Sequence, residues 1–149
     1  MAGSLIKIDE EIVTSAVASV TLGGSDWDSS YDVYMVKLNN VKPTSDNIDL
    51  LYRVTKSGTA DSTANYDQAY KKLDSTTTFG NRYNTNQTYW ETEQLGTSTQ
   101  EQNNGILYLF NFSNASEYSF ITVEESTFNT AQQLTGRQGG AVHTVASAS

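Results

Sequence analysis

Cysteine is absent from this 149-residue chain, which removes disulfides, thiolate nucleophiles and cysteine-held metal together. That suits a reducing cytoplasm, or a particle assembled in one, better than a small disulfide-dense secreted domain. Histidine occurs once, as His143, in a glycine-adjacent tail with no charged neighbour in sequence to tune it. It is expected to be an ordinary surface residue, and a histidine-based nucleophilic triad has no second candidate base. Basic residues are few: 9 Lys and Arg against 17 Asp and Glu give a net charge of -8. The only adjacent pair, Lys71-Lys72, lies near Asp67 and Asp74. Phosphate backbones are gripped by clustered cations, so nucleic acid is not an expected partner. No apolar run approaches the roughly 18 residues that cross a bilayer. No basic stretch leads into a continuous apolar one, so neither membrane insertion nor a signal peptide is expected. The single proline is Pro43, and charged residues make up only 17% of the chain.

Short β-patterned segments, separated by Ser, Thr, Asn and Gly, fill what remains. The most apolar is Gly105-Ile106-Leu107-Tyr108-Leu109-Phe110-Asn111-Phe112. As a strand it places Ile106, Tyr108, Phe110 and Phe112 on one face and Leu107 and Leu109 on the other. A strand apolar on both faces is normally covered on both, which makes this one central. Ser113 to Ser116 reads as a hairpin loop leading into Glu117–Val123. Further strands are expected over Ile12–Leu22, Tyr31–Leu38, Ile48–Thr55 and Thr88–Thr92. Tyr66, Ala69, Tyr70 and Leu73 fit a short helix, and equally a strand with Tyr66, Gln68 and Tyr70 on one face. Asp74 to Asn81 and Tyr83 to Gln87 read as loops around weak strands. The Gly136–Gly140 cluster reads as flexible, with no apolar closing strand evident after Val145. The expected fold is all-β: an antiparallel β-sandwich, jelly-roll-like, with an extended N-terminal arm. Residues 1–15 form the arm or first strand and 16–149 a single sandwich domain.

Chemistry-bearing constellations are sparse. Glu124 and Glu125 are consecutive and point to opposite faces of a strand. Glu91 and Glu93 share a face, where a glycosidase would need such a pair, but solvated acids on an edge strand are the plainer interpretation. Asp26, Asp28 and Asp32 resemble a calcium loop without the glycine and glutamate of the twelve-residue EF-hand, and Asx-turn capping is the plainer explanation. Trp27 and Trp90 are the candidate glycan contacts, against the alternative that large aromatics fill the core. Gly136-Arg137-Gln138-Gly139-Gly140 lacks the Gly-Lys-Ser/Thr ending of a phosphate loop. No catalytic residue, cofactor or resident metal is expected, and the chain is not expected to be an enzyme.

Ala2-Gly3-Ser4-Leu5-Ile6-Lys7-Ile8-Asp9-Glu10-Glu11-Ile12-Val13 through Val20 resembles the opening of small β-rich virion structural proteins of marine tailed bacteriophages. The similarity extends to Tyr31-Asp32-Val33-Tyr34, Asn39-Asn40-Val41, Asn86-Gln87-Thr88-Tyr89-Trp90, and Tyr108-Leu109-Phe110-Asn111-Phe112 leading to Glu117-Tyr118-Ser119-Phe120. These motifs are strands and turns, so they mark a lineage and carry no site. The resemblance implies a capsid-decorating or fibre- or tail-associated subunit, located in the virion and assembled in the host cytoplasm. Its implied partners are copies of itself and other virion proteins. The alternative is a carbohydrate-binding module on a phage fibre that meets a host-surface glycan. Relatives implied by the resemblance continue past the equivalent of Ser149 with another glycine-containing strand, so a shortened chain is expected here. Exposed strand edges pair readily with a neighbour, and Leu5, Ile6, Ile8, Ile12 and Val13 are the candidate assembly arm.

Overall fold

A computed structural model describes residues 5–76 and 78–147. Ten strands follow in chain order. They begin with β1 (Val33–Val41), β2 (Leu51–Tyr52), β3 (Thr55–Lys56), β4 (Thr59–Ala60) and β5 (Tyr66–Asp74). After these come β6 (Gly80–Gln87), β7 (Trp90–Glu91), β8 (Asn103–Phe110), β9 (Ser119–Phe128) and β10 (Leu134–His143). Six of them form one antiparallel sheet in the order β1-β8-β9-β10-β5-β6. The ribbons β2-β7 and β3-β4 stand apart as two-stranded pairs.

The sheet is one-sided. β9 alternates buried and exposed residues along its length, with Ser119, Ile121, Val123, Glu125 and Thr127 facing in. This is the period-2 signature of a strand covered on one face only. Tyr34, Leu107, Leu109, Ile121 and Val123 project from three neighbouring strands into one core. Phe112, Val54, Tyr66 and Trp90 join them, partly from the ribbons and loops that form the covering layer.

The all-β, antiparallel expectation therefore holds, and the expected hairpin forms with Phe120–Val123 paired to Leu107–Phe110, its connection running longer than Ser113 to Ser116. The covering layer differs from the expected one. Among the described residues it consists of two-stranded ribbons and loops rather than a second large sheet, so a jelly-roll topology is not seen. Ile12–Leu22 forms no strand, and the first strand begins at Val33 rather than near residue 16. Its Ala and Ser positions offer too little bulk on either face to hold a ladder against the core. Ile48–Thr55 is broken into an isolated bridge, Ile48 with Leu95, followed by β2 and β3. The Tyr66–Asp74 segment is the strand alternative, with Tyr66 and Gln68 buried, and Gly80–Gln87 is a full edge strand.

The largest departure is the glycine-rich tail. It is β10, hydrogen-bonded on both sides, to β9 and β5. Its glycines allow backbones to approach. A Cβ on Gly139 would lie 2.5 Å from Tyr70 Cα and collide with the Ala69 carbonyl. Gly139→Ala is accordingly expected to lower stability by about 2 kcal/mol or more, because backbone cannot move aside as a side chain can. Gly80→Ala, with its nearest neighbour 3.8 Å away, should change little. Urea unfolding followed by circular dichroism separates the two.

Candidate functional site

Four groups of residues were candidates from sequence, and the fold treats them differently. Leu5, Ile6, Ile12 and Val13 are exposed, Leu5 to 83% and Ile12 to 72%. Ile8 alone of the five packs against the core. The segment is tied down beside it, where Asp9 Oδ2 accepts the Gly23 N–H at 2.9 Å. Trp90 is only 2% exposed, and its indole N–H donates to the Asp67 and Val142 carbonyls. A buried ring offers no platform to a sugar, so that candidacy fails. Trp27 stacks on Tyr34 at 3.9 Å between ring centroids and meets Phe112 edge-on. One of its faces is thus already occupied. Asp26, Asp28 and Asp32 do not converge: no group of three or more His, Cys, Asp or Glu side chains placed to hold a metal occurs among the described residues. Asp28 instead accepts the Ser30 N–H at 2.8 Å, the Asx-turn role.

Sequence patterning missed a buried polar core. Arg137 and Glu125 are directly opposed on β10 and β9, and both lie under the ribbon layer. Their Nη2 and Oε2 atoms are 2.9 Å apart with the side chains 2% and 3% exposed, though without the alignment of a hydrogen bond. Glu125 also accepts the Tyr52 hydroxyl, and Arg137 donates to the Glu91 carbonyl. The Tyr70 and Tyr52 rings lie 5.1 and 5.9 Å from the guanidinium. Burial, then the Glu125 charge, pushes the Tyr52 hydroxyl well above the usual tyrosine range. Burial raises Asp49 too, helped by Glu91 and Glu93. Glu93 itself is paired with Lys72 at 3.1 Å and is mostly buried, not a solvated edge acid. The space bounded by Glu93, Asn103, Glu125, Thr127 and Arg137 leaves no room for a water molecule. This is a packed ionic core rather than a pocket.

His143 was also misplaced by sequence. It is fully buried, with its ring centroid 4.7 Å from that of Tyr66, and Trp90 lies edge-on to it. Its Nε2 lies 3.2 Å from Asp61 Oδ2, and Asp61 in turn pairs with Lys56 at 3.1 Å. Burial, with the Lys56 charge, lowers the imidazole below its ordinary value of 6.5 and outweighs Asp61. The neutral ring therefore donates Nε2–H to the carboxylate, and Nδ1 has no partner.

The opposite face of the sheet is the surface that remains. Register places Val33, Phe110, Phe120 and Val142 in one row across β1, β8, β9 and β10. The next row is Met35, Tyr108, Thr122, Gly140, Ala69 and Tyr83, and the third is Lys37, Ile106, Glu124, Gln138, Lys71 and Asn81. Phe120 is 45% exposed, Tyr108 43% and Tyr83 76%. A depression of about 390 Å³ opens at the charged end, lined by Lys37, Asn39, Asn104, Ile106, Glu124 and Ser126 among others. Period-2 patterning located this face in β8 but gave no warning that it would stay bare. In comparisons with known proteins no family model matches the chain, and no curated protein or solved structure matches it significantly.

Two measurements probe the buried groups. Glu125→Ala leaves the Arg137 cation unpaired in the core and should cost about 3–5 kcal/mol, whereas the double change Glu125→Leu with Arg137→Met should cost far less. Equal losses in urea titrations would show that the pair is not what the core depends on. For His143, the unfolded chain binds a proton near the ordinary value of 6.5 while the folded chain resists it. Stability is then full above that value and falls as pH drops below about 6.5. Asp61, held well below the usual carboxylate range first by the Thr63 hydroxyl, adds its own loss only below about pH 4. His143→Gln should flatten the upper part of this profile.

Proposed function

We propose that this chain is a non-enzymatic structural subunit of a tailed-phage particle. In that role it decorates the capsid or belongs to a fibre or tail, associates with copies of itself and binds other virion proteins. The observation that carries this reading is the apolar surface a single copy leaves uncovered. Scattered exposed hydrophobic residues are ordinary, but contiguous ones mark contact surfaces. Here the N-terminal segment from Leu5 to Leu22 carries neither helix nor strand and is rich in exposed Ile and Val. The sheet also has two edge strands, β1 and β6.

In this reading residues 1–15 work as an assembly arm, of which Met1 to Ser4 lie outside the described residues. Ile8 and Asp9 anchor the base of the arm, while Leu5, Ile6, Ile12 and Val13 are offered to a neighbour. Their β-branched character suits addition to a free strand edge, where main-chain hydrogen bonds give affinity and alternate side chains give selectivity.

Removal of residues 2–13 should abolish higher assembly, read by native mass spectrometry, while the domain stays folded at a cost of about 1–3 kcal/mol from the lost Ile8 contact and Asp9 hydrogen bond. Unchanged assembly would refute the arm. Mass spectrometry of purified particles of a phage encoding the chain should find it in multiple copies per particle, and its absence there would refute the virion role.

A further inference from the structure

We propose that two copies pack face to face through the outer face of the six-stranded sheet, each supplying the layer that the other lacks. The proposal rests on the self-association reading above but uses a different surface from the arm.

Three features select a second copy as the occupant. The first is composition. Val33, Met35, Tyr108, Phe110, Phe120 and Val142 fall in two adjacent rows. Apolar residues on both faces of β8 are thus buried on one side by the chain's own core and left open on the other. Sheets stack at about 10 Å when such faces meet, their side chains interdigitating.

Size is the second. Six strands at about 4.8 Å spacing and up to ten residues at about 3.4 Å rise give a face of roughly 24 by 30 Å, or about 700 Å² in projection. A stable interface takes about 800 Å² of accessible surface per partner, and a side-chain-studded face exposes more than its projection.

The third feature is charge. The chain as a whole carries -8, so two copies repel over most of their surfaces. Within the strands of the outer face, register leaves Lys37, Lys71, Asp67 and Glu124 as the charged positions, and these sum to zero. Both signs are present on one patch, which a two-fold contact requires because the same patch must complement itself. The depression beside Lys37 and Glu124 adds a concavity at that rim for a partner's side chain. A cationic partner would select an acidic face, and this one is neutral.

Sedimentation equilibrium of the full chain, over about 1–100 µM, tests this. A dimer is expected, weakened at least tenfold by Phe120→Lys or by Tyr108→Glu. Both positions are exposed in one copy, so far-UV circular dichroism and the urea midpoint should stay near those of the parent chain. The arm variant Ile12→Asp with Val13→Asp should leave the dimer intact. Carbodiimide treatment of mixed light and heavy-isotope chains should join Lys37 or Lys71 of one copy to Asp67 or Glu124 of the other. A monomer at every concentration overturns the proposal, as does association that ignores both face substitutions and gives no mixed-isotope link. Association lost in the arm variant but not in the face variants also overturns it, and leaves the particle role standing.

Discussion

Burial of the inner face of the six-stranded sheet is the interaction on which the rest of the molecule depends. Tyr34, Leu107, Leu109, Ile121 and Val123 come from three strands with different neighbours, and only the antiparallel register brings them together. Slipping any of these strands by one residue would exchange its inner set for its outer one. The covering layer has little regular structure of its own. Its short strands and their links are held in place by the side chains they send into the core, the Trp90 indole and the Val54 side chain, which meet the Tyr66 ring of the sheet. Tyr66 shows the economy of the arrangement, since its hydroxyl donates to the Asp61 carbonyl and accepts the Val54 N–H while its ring packs on Trp90 and His143.

Polar residues inside this core help to fix register where apolar packing alone is permissive. Arg137 opposite Glu125 is a pair that only one alignment of β9 and β10 allows. Desolvating two charges offsets much of their attraction. Their contribution is better understood as the penalty imposed on a shifted register, in which a bare guanidinium would sit beneath Tyr52 and Tyr70. Gly136 and Gly139 act in the same direction by sterics, because side chains there would strike the Glu125 carbonyl and the Ala69–Tyr70 backbone. β10 has few apolar side chains to bury, and it is specified by ion pairing and close approach instead.

That contrast explains what the sequence made legible. β1, β8 and β9 were legible as strands and β8–β9 as a hairpin, but the pairing of β1 with β8 was not, nor which face of β8 is covered, because both of its faces are apolar. β10 was not legible, because its inward positions are Thr135, Arg137, Gly139, Ala141 and His143, a set that looks like a polar tail to any hydrophobicity-based argument. The same blindness misplaced His143, whose partners Asp61 and Lys56 lie about 80 residues away in sequence. A lone histidine reveals burial only when the alternation Arg137–Gly139–Ala141–His143 is recognised as one face of a strand. Ile12–Leu22 failed in the opposite sense, for its β-branched residues have propensity but no inner face to join. Trp27 and Trp90 were legible as core or ligand contacts but not as which, since aromatic character serves both; burial and the bond to Asp67 place Trp90 in the core, while Trp27 is half-buried with one face on Tyr34.

The uncovered face gives these features a common physical origin. A chain that devotes β8 to apolar residues on both sides forgoes the usual one-polar, one-apolar division of an antiparallel sheet. Leaving Phe120, Tyr108 and Met35 in water opposes the folded state of a lone molecule only weakly, since they are exposed in the unfolded chain as well. It strongly favours any arrangement that covers them. The acidic charge is placed away from that face and limits indiscriminate contact elsewhere. In the proposed face-to-face pair one stretch of sequence would serve two burial events, the first within the chain and the second between chains. The first supplies a pre-ordered face whose charged positions sum to zero, so that little conformational entropy would be lost in the second.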